Sequence, residues 1–139
     1  MVLHTGIYAA LCGSMLIGLA AHVIRARRKQ MMAMGQGDFE LQRRIRAHGN
    51  FAEYAPMFLI MLGFSELQGL HPLAVHGFGV VFMAGRGMHA YSLLKAEQYV
   101  DGKITAFPHW RRRGMVCCFG CIGLLALTLL AQAFISPEI

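Results

Sequence analysis

Two strings carry the residues able to do chemistry: RAHGNFAEYAP, with Arg46, His48, Asn50, Glu53 and Tyr54, and AGRGMHAYS, with Arg86 and His89. A planar guanidinium fork receives a carboxylate, and a glutamate receives an ammonium group. On a helix advancing 100° per residue, Arg46, Asn50 and Glu53 fall within about 60° of one another, with Tyr54 at the edge of the stripe. His48 lies about 200° from Arg46 and therefore points toward another helix or another subunit. Arg86 and His89, three residues apart, share a face of a second helix. The simpler alternative for Glu53 is an internal ion pair with Arg46 or Arg86. Even after such a pair, several cations face one glutamate, and the surplus invites an anion that also carries an amine.

The elements that position these groups are apolar. Of 139 residues, 56% are hydrophobic and 14% charged, against about 25% charged in an ordinary soluble domain. The charges cluster, leaving quiet windows at about 5–24, 51–70, 73–94 and 115–135. Each has the roughly 20 residues that a helix needs to cross about 30 Å of hydrocarbon. The expectation is an all-α membrane protein, a four-transmembrane-helix antiparallel bundle forming one domain over 1–139. The first window has no basic segment before it and its arginines follow it, so it reads as a retained helix rather than a signal peptide. Pro72 fits the first turn of the third helix. Gly6, Ala10, Gly13, Gly77, Gly85 and Gly87 suit close helix contacts.

Loop charge gives an orientation. The first loop carries Arg25, Arg27, Arg28, Lys29, Arg43, Arg44 and Arg46, and the third carries Lys95, Lys103, Arg111, Arg112 and Arg113. The second loop, SELQGLHP, and the tail, SPEI, have no Lys or Arg. Both basic loops are expected in the cytoplasm and both termini outside. The net charge of +6 is then a signature of topology, not of nucleic-acid binding. Loop arginines can snorkel to the interface, and Trp110 and Tyr99 suit the same level. Glu53 and Arg86 are too deep for that, roughly 10 Å and 14 Å from the cytoplasmic ends of their helices. Ionisable groups at such depth are usually kept for function.

A cytoplasmic ligand with two carboxylates and one ammonium group suggests glutathione. Together with GRGMHAYS and a fourth helix that opens with arginine, RAHGNFAEYAP resembles the MAPEG family, membrane-associated proteins in eicosanoid and glutathione metabolism. The resemblance covers essentially the whole chain. It implies a homotrimer that binds glutathione as co-substrate, in a U shape between subunits at the cytoplasmic side. Arg46, Asn50, Glu53 and Tyr54 match the ligands of helix two, and His48 sits where relatives carry His or Gln. Arg86 and His89 match helix-three positions, and Arg113 matches the arginine assigned to the thiolate. Arg25 or Arg28 corresponds to the helix-one arginine. Gly49 stands where some relatives carry arginine, and Leu93 where some carry a second tyrosine, which Tyr91 does not replace. The length and motif resemble the small bacterial branch, implying the inner membrane.

A free thiol of pKa about 8.5 is mostly protonated at neutral pH, and the thiolate is the nucleophile. Arg113 would act electrostatically, favouring the thiolate without serving as a base. An apolar electrophile or lipid hydroperoxide arriving from the bilayer would then be conjugated or reduced. Cys12, Cys117, Cys118 and Cys121 fall in helices without zinc-ribbon spacing, and no metal is expected. His4, His22, His71, His76 and His109 are scattered without ligand spacing. The rival readings are a non-catalytic lipid-binding or scaffold protein on the same fold, and a transporter using Glu53 and His89 as a proton relay. The first has no need of the complete Arg46, Asn50, Glu53, Tyr54 and Arg113 set, and the second lacks discontinuous helices or an inverted repeat.

Overall fold

The computed structural model describes residues 3–100, 103–105 and 109–135. It contains four long helices: α1 (Leu3–Lys29), α2 (Phe39–Leu67), α3 (Pro72–Tyr91) and α4 (His109–Ile135). A π-helical turn, Ser92–Ala96, continues α3, and a short antiparallel hairpin, β1 (Tyr99–Val100) with β2 (Lys103–Ile104), precedes α4. Neither the π turn nor the hairpin was legible in the sequence.

Local chemistry sets the helix ends. Asp38 caps α2 by accepting the Leu41 N–H at 2.8 Å, the usual service of a short polar side chain at a helix start. That backbone N–H, followed by Gln30, holds the Asp38 carboxyl below its ordinary range. At the other end of α2, Gly69 takes a left-handed φ of 89°, which glycine adopts without a Cβ clash. Pro72 opens α3, and the His71 ring accepts the Leu73 N–H at 3.3 Å.

The helices extend past the apolar windows. Because α2 starts at Phe39 and α4 at His109, Arg113 lies in the second turn of α4, not at its first residue. Arginine is a good helix former, and its charged head reaches water while its backbone continues the helix. By length and composition α1 and the 109–134 stretch of α4 can cross a bilayer. The polar residues within α2 and α3, above all Arg46, Glu53, Arg86 and His89, dilute the apolar character of the other two.

Around the bundle the order is α1, α2, α4, α3. Helices α2 and α3 also meet across the diagonal, whereas no Cα atom of α1 comes within 8 Å of one in α4 among the described residues. Phe58 and Phe82 stack at 3.8 Å between ring centroids, nearly parallel, at the centre of a core with Phe51, Leu62, Val75 and Leu125. Cys12, Cys118 and Cys121 are buried in the same core as small apolar groups. Large apolar side chains also cover the outside, including Ile17, Leu73, Val116 and Leu127, a distribution that suits lipid rather than water.

At the end opposite the basic loops, Glu66 of α2 accepts the His4 and Thr5 N–H groups, each at 2.9 Å, and so caps α1 from a neighbouring helix. In the second turn of α4, α3 and α4 approach through Gly85 and Gly114. A Cβ on Gly114 would stand 2.5 Å from the Gly85 carbonyl oxygen and 2.9 Å from the His89 nitrogen. Both are backbone atoms and cannot swing away, so Gly114→Ala must separate the helices. The expected loss is on the order of 1–3 kcal/mol, visible as a lower midpoint of thermal unfolding in detergent. An unchanged midpoint would show that the crossing yields freely.

Candidate functional site

Arg86 is the deepest charged group, only 1% exposed. Its Nη2 donates to Asn50 Oδ1 at 2.7 Å, linking α3 to α2. The guanidinium carbon lies 5.6 Å from the Tyr54 ring centroid and 6.0 Å from that of Phe51, within reach of cation–π attraction. Met115 Sδ is 4.0 Å from Nη1, and Nε has no hydrogen-bond partner among the described residues. No carboxylate pairs with Arg86 among the described residues. One turn along, His89 is 2% exposed, and its Nδ1 has no hydrogen-bond partner among the described residues. It lies beneath the Gly85–Gly114 crossing, which presses α4 onto its backbone.

Glu53 is exposed and makes no ion pair among the described residues. The internal pair with Arg46 or Arg86 does not form. Arg46 and Glu53 are seven residues apart, about 10 Å along the helix, whereas side chains pair at three or four. Arg86 is inside the bundle, and Glu53 faces out. Asn50 and Tyr54 lie half-buried between these two environments.

The chain thus brings together Asn50, Tyr54 and Arg86, with His89 alongside. It leaves Arg46 and Glu53 on the adjoining outer face, and Arg113 exposed on α4 without a hydrogen-bond partner among the described residues. His48 is half-buried, and Arg25 and Arg28 are both exposed near the end of α1, so the choice between them stays open. Between α1 and α2, a cleft of about 340 Å³ is lined by Cys12, Leu16, Ala55, Pro56 and Phe51. Phe51 forms part of its wall and also faces the Arg86 guanidinium. An apolar opening therefore borders the buried cation.

Sequence reasoning missed a second cluster, centred on Glu97 at the basic end. Glu97 is 4% exposed. Ser92 Oγ donates to its Oε1 at 3.0 Å, and the Tyr99 hydroxyl donates to Oε2. Arg111 Nη1 lies 3.7 Å from Oε2, and Arg43 Nη2 donates to the Glu97 carbonyl at 3.2 Å. Arg43 also lies over the Tyr99 ring at 5.2 Å. Burial, and then the Glu97 hydrogen bond and charge, push the Tyr99 phenol up from its ordinary value. The available signal was one glutamate and one tyrosine, KAEQY, in a loop whose other charges are basic apart from Asp101.

Long apolar helices, an apolar exterior and a buried polar cluster at one level define a helical membrane protein with an internal site. Residues 5–131 match the MAPEG family, and the chain belongs to that family. It is 35% identical over 124 residues to the inner membrane protein YecN of Escherichia coli strain K12, covering 88% of this chain and 87% of that one. The same figures hold for YecN of Escherichia coli O6:H1.

Proposed function

We propose that this protein is a membrane-bound glutathione transferase or peroxidase. Glutathione binds at the basic end between adjacent subunits of a homotrimer, with Arg46, Asn50, Glu53, Tyr54, Arg86 and His89 around it and His48 and Arg28 at the border. The observation that carries this reading is a set of groups left unneutralised among the described residues along one edge: Arg86 buried without a carboxylate, and Arg46 and Glu53 unpaired on the adjoining face. Unpaired charge on an apolar surface is unfavourable. A neighbouring subunit and a zwitterionic ligand would relieve it, the carboxylates of glutathione meeting guanidiniums and its ammonium meeting Glu53.

Arg113 stabilises the bound thiolate. In conjugation the sulfur lone pair forms a bond to an electrophilic carbon, whose leaving group departs or whose ring oxygen takes a proton. In peroxide reduction, two glutathiones become the disulfide while the hydroperoxide becomes an alcohol and water. The apolar cleft beside Phe51 gives a lipophilic electrophile a route toward the polar cluster.

Equilibrium binding to the detergent-purified protein tests recognition. Glu53→Gln should weaken glutathione roughly tenfold or more, the worth of a charge-assisted contact, while an analogue lacking the amino group loses little. Equal losses for both ligands would make Glu53 a structural counter-ion and overturn its assignment. For topology, with four crossings and both termini outside, a cysteine introduced at Gln36 should resist membrane-impermeant reagents in intact cells. Labelling from outside would reverse the orientation.

A further inference from the structure

The Glu97 cluster borders a second basic pocket, which meets the glutathione site of the reading above only at Arg46. This pocket, of about 340 Å³, lies between the first turns of α2, the hairpin and the start of α4. Arg43, Arg46 and Arg111 supply its charge, Gln36 and Gln42 its neutral polar groups, and Phe39, Leu93, Tyr99 and Ile104 its apolar wall.

Its guanidiniums are not satisfied within the chain's described residues. Arg43 is fixed by the Glu97 carbonyl and the Tyr99 ring, yet its Nε is buried without a hydrogen-bond partner among the described residues. Arg111 is 3.7 Å from Glu97 Oε2, too far for a hydrogen bond. Both Glu97 oxygens already accept hydroxyl donors. Arg46, at the pocket's inner edge, has no hydrogen-bond partner among the described residues. Three arginines against the single Glu97 carboxylate leave an excess of two positive charges.

The level of the pocket narrows the chemistry. The 29 residues of α2 rise about 43 Å, against about 30 Å of hydrocarbon. The excess is roughly nine residues, and the basic first turns, 39–47, would supply it at headgroup depth. Guanidiniums on two helices suit the tetrahedral oxygens of a phosphate better than one planar carboxylate, which a single fork satisfies. The wall of Phe39, Leu93 and Ile104 suits the apolar part of the same molecule.

We propose that this pocket is a binding site for a phosphate-type anion at the membrane surface, with Arg43 and Arg111 as its principal ligands. The site is separate from glutathione recognition, apart from the shared edge at Arg46, and does not depend on that reading. The phosphate can belong to an anionic phospholipid or to a soluble molecule.

The test is equilibrium binding of short-chain phosphatidylglycerol and phosphatidylcholine of equal chain length to the detergent-purified full chain, with and without inorganic phosphate. Wild type should bind phosphatidylglycerol at least tenfold more tightly than phosphatidylcholine, or bind inorganic phosphate itself. Arg111→Gln should reduce that binding roughly tenfold. Gln36→Glu places a negative charge at the rim from an exposed residue without a hydrogen bond among the described residues, so it should give a comparable loss in a folded protein. Glutathione affinity should be unchanged in both variants. Competition by inorganic phosphate assigns the site to a soluble anion, and its failure to compete with bound phosphatidylglycerol assigns it to the lipid. The proposal is overturned if neither phosphatidylglycerol nor phosphate is preferred, or if both variants bind as wild type does.

Discussion

Arg113→Ala is expected to slow conjugation of a small aromatic electrophile by about tenfold to a hundredfold at neutral pH, with glutathione affinity nearly intact. Arg113 is exposed on the second turn of α4 and bonds to nothing among the described residues. Its removal therefore disturbs the fold little. A fixed cation beside the sulfur favours the thiolate, and each unit by which the thiol pKa rises lowers its thiolate fraction about tenfold below that pKa. The pH profile of turnover should shift upward, because the variant must reach a higher pH to ionise the same fraction of thiol. Arg113→Lys should recover part of the rate, since a point charge survives without the planar fork. Near-ultraviolet thiolate absorbance against pH, read with turnover, separates ionisation from binding. A wild type with neither a thiolate signal below pH about 8.5 nor conjugation and peroxidase turnover would remove the enzyme reading in favour of a lipid-binding scaffold.

The second large effect concerns Arg86. Removing a guanidinium from water is unfavourable by several kcal/mol, and this one is buried with one strong hydrogen bond, to Asn50, and no carboxylate among the described residues. Arg86→Met replaces it with an apolar chain of similar reach. The half-buried Asn50 can turn toward water in the variant. The expected result is an unfolding midpoint equal to or above wild type, with glutathione affinity lower by roughly tenfold or more. That combination identifies a charge kept for a ligand at the expense of stability. A variant that unfolds readily would instead make Arg86 a structural strut between α2 and α3. Arg86→Lys helps to discriminate: a ligand needing the fork would still bind weakly, although the positive charge remains.

The helical spacing of the candidate residues was legible because helix geometry is regular. Arg46, Asn50 and Glu53 had to share a stripe, and Arg86 and His89 had to sit one turn apart, wherever the helices packed. Burial was less accessible. A sequence places Glu53 and Arg86 at similar depth, but packing turns Arg86 into the bundle and Glu53 out of it. The Glu97 cluster was hidden for a different reason. Its partners Arg43, Ser92, Tyr99 and Arg111 come from α2, the π turn, the hairpin and α4, and no periodicity relates positions in separate elements.

By itself, then, the sequence determined four helices, two of them apolar enough to cross a bilayer, their charge asymmetry and the polar stripe, because transfer to lipid and helical geometry act on each segment locally. Tertiary structure decided which charges meet. It joined Arg86 to Asn50 at 2.7 Å, kept Glu53 apart from both arginines, and assembled a basic pocket around a buried glutamate. Those outcomes depend on how closely two backbones approach, as at Gly85 and Gly114, and on which faces they turn inward. Such choices are settled by packing among helices far apart in the chain.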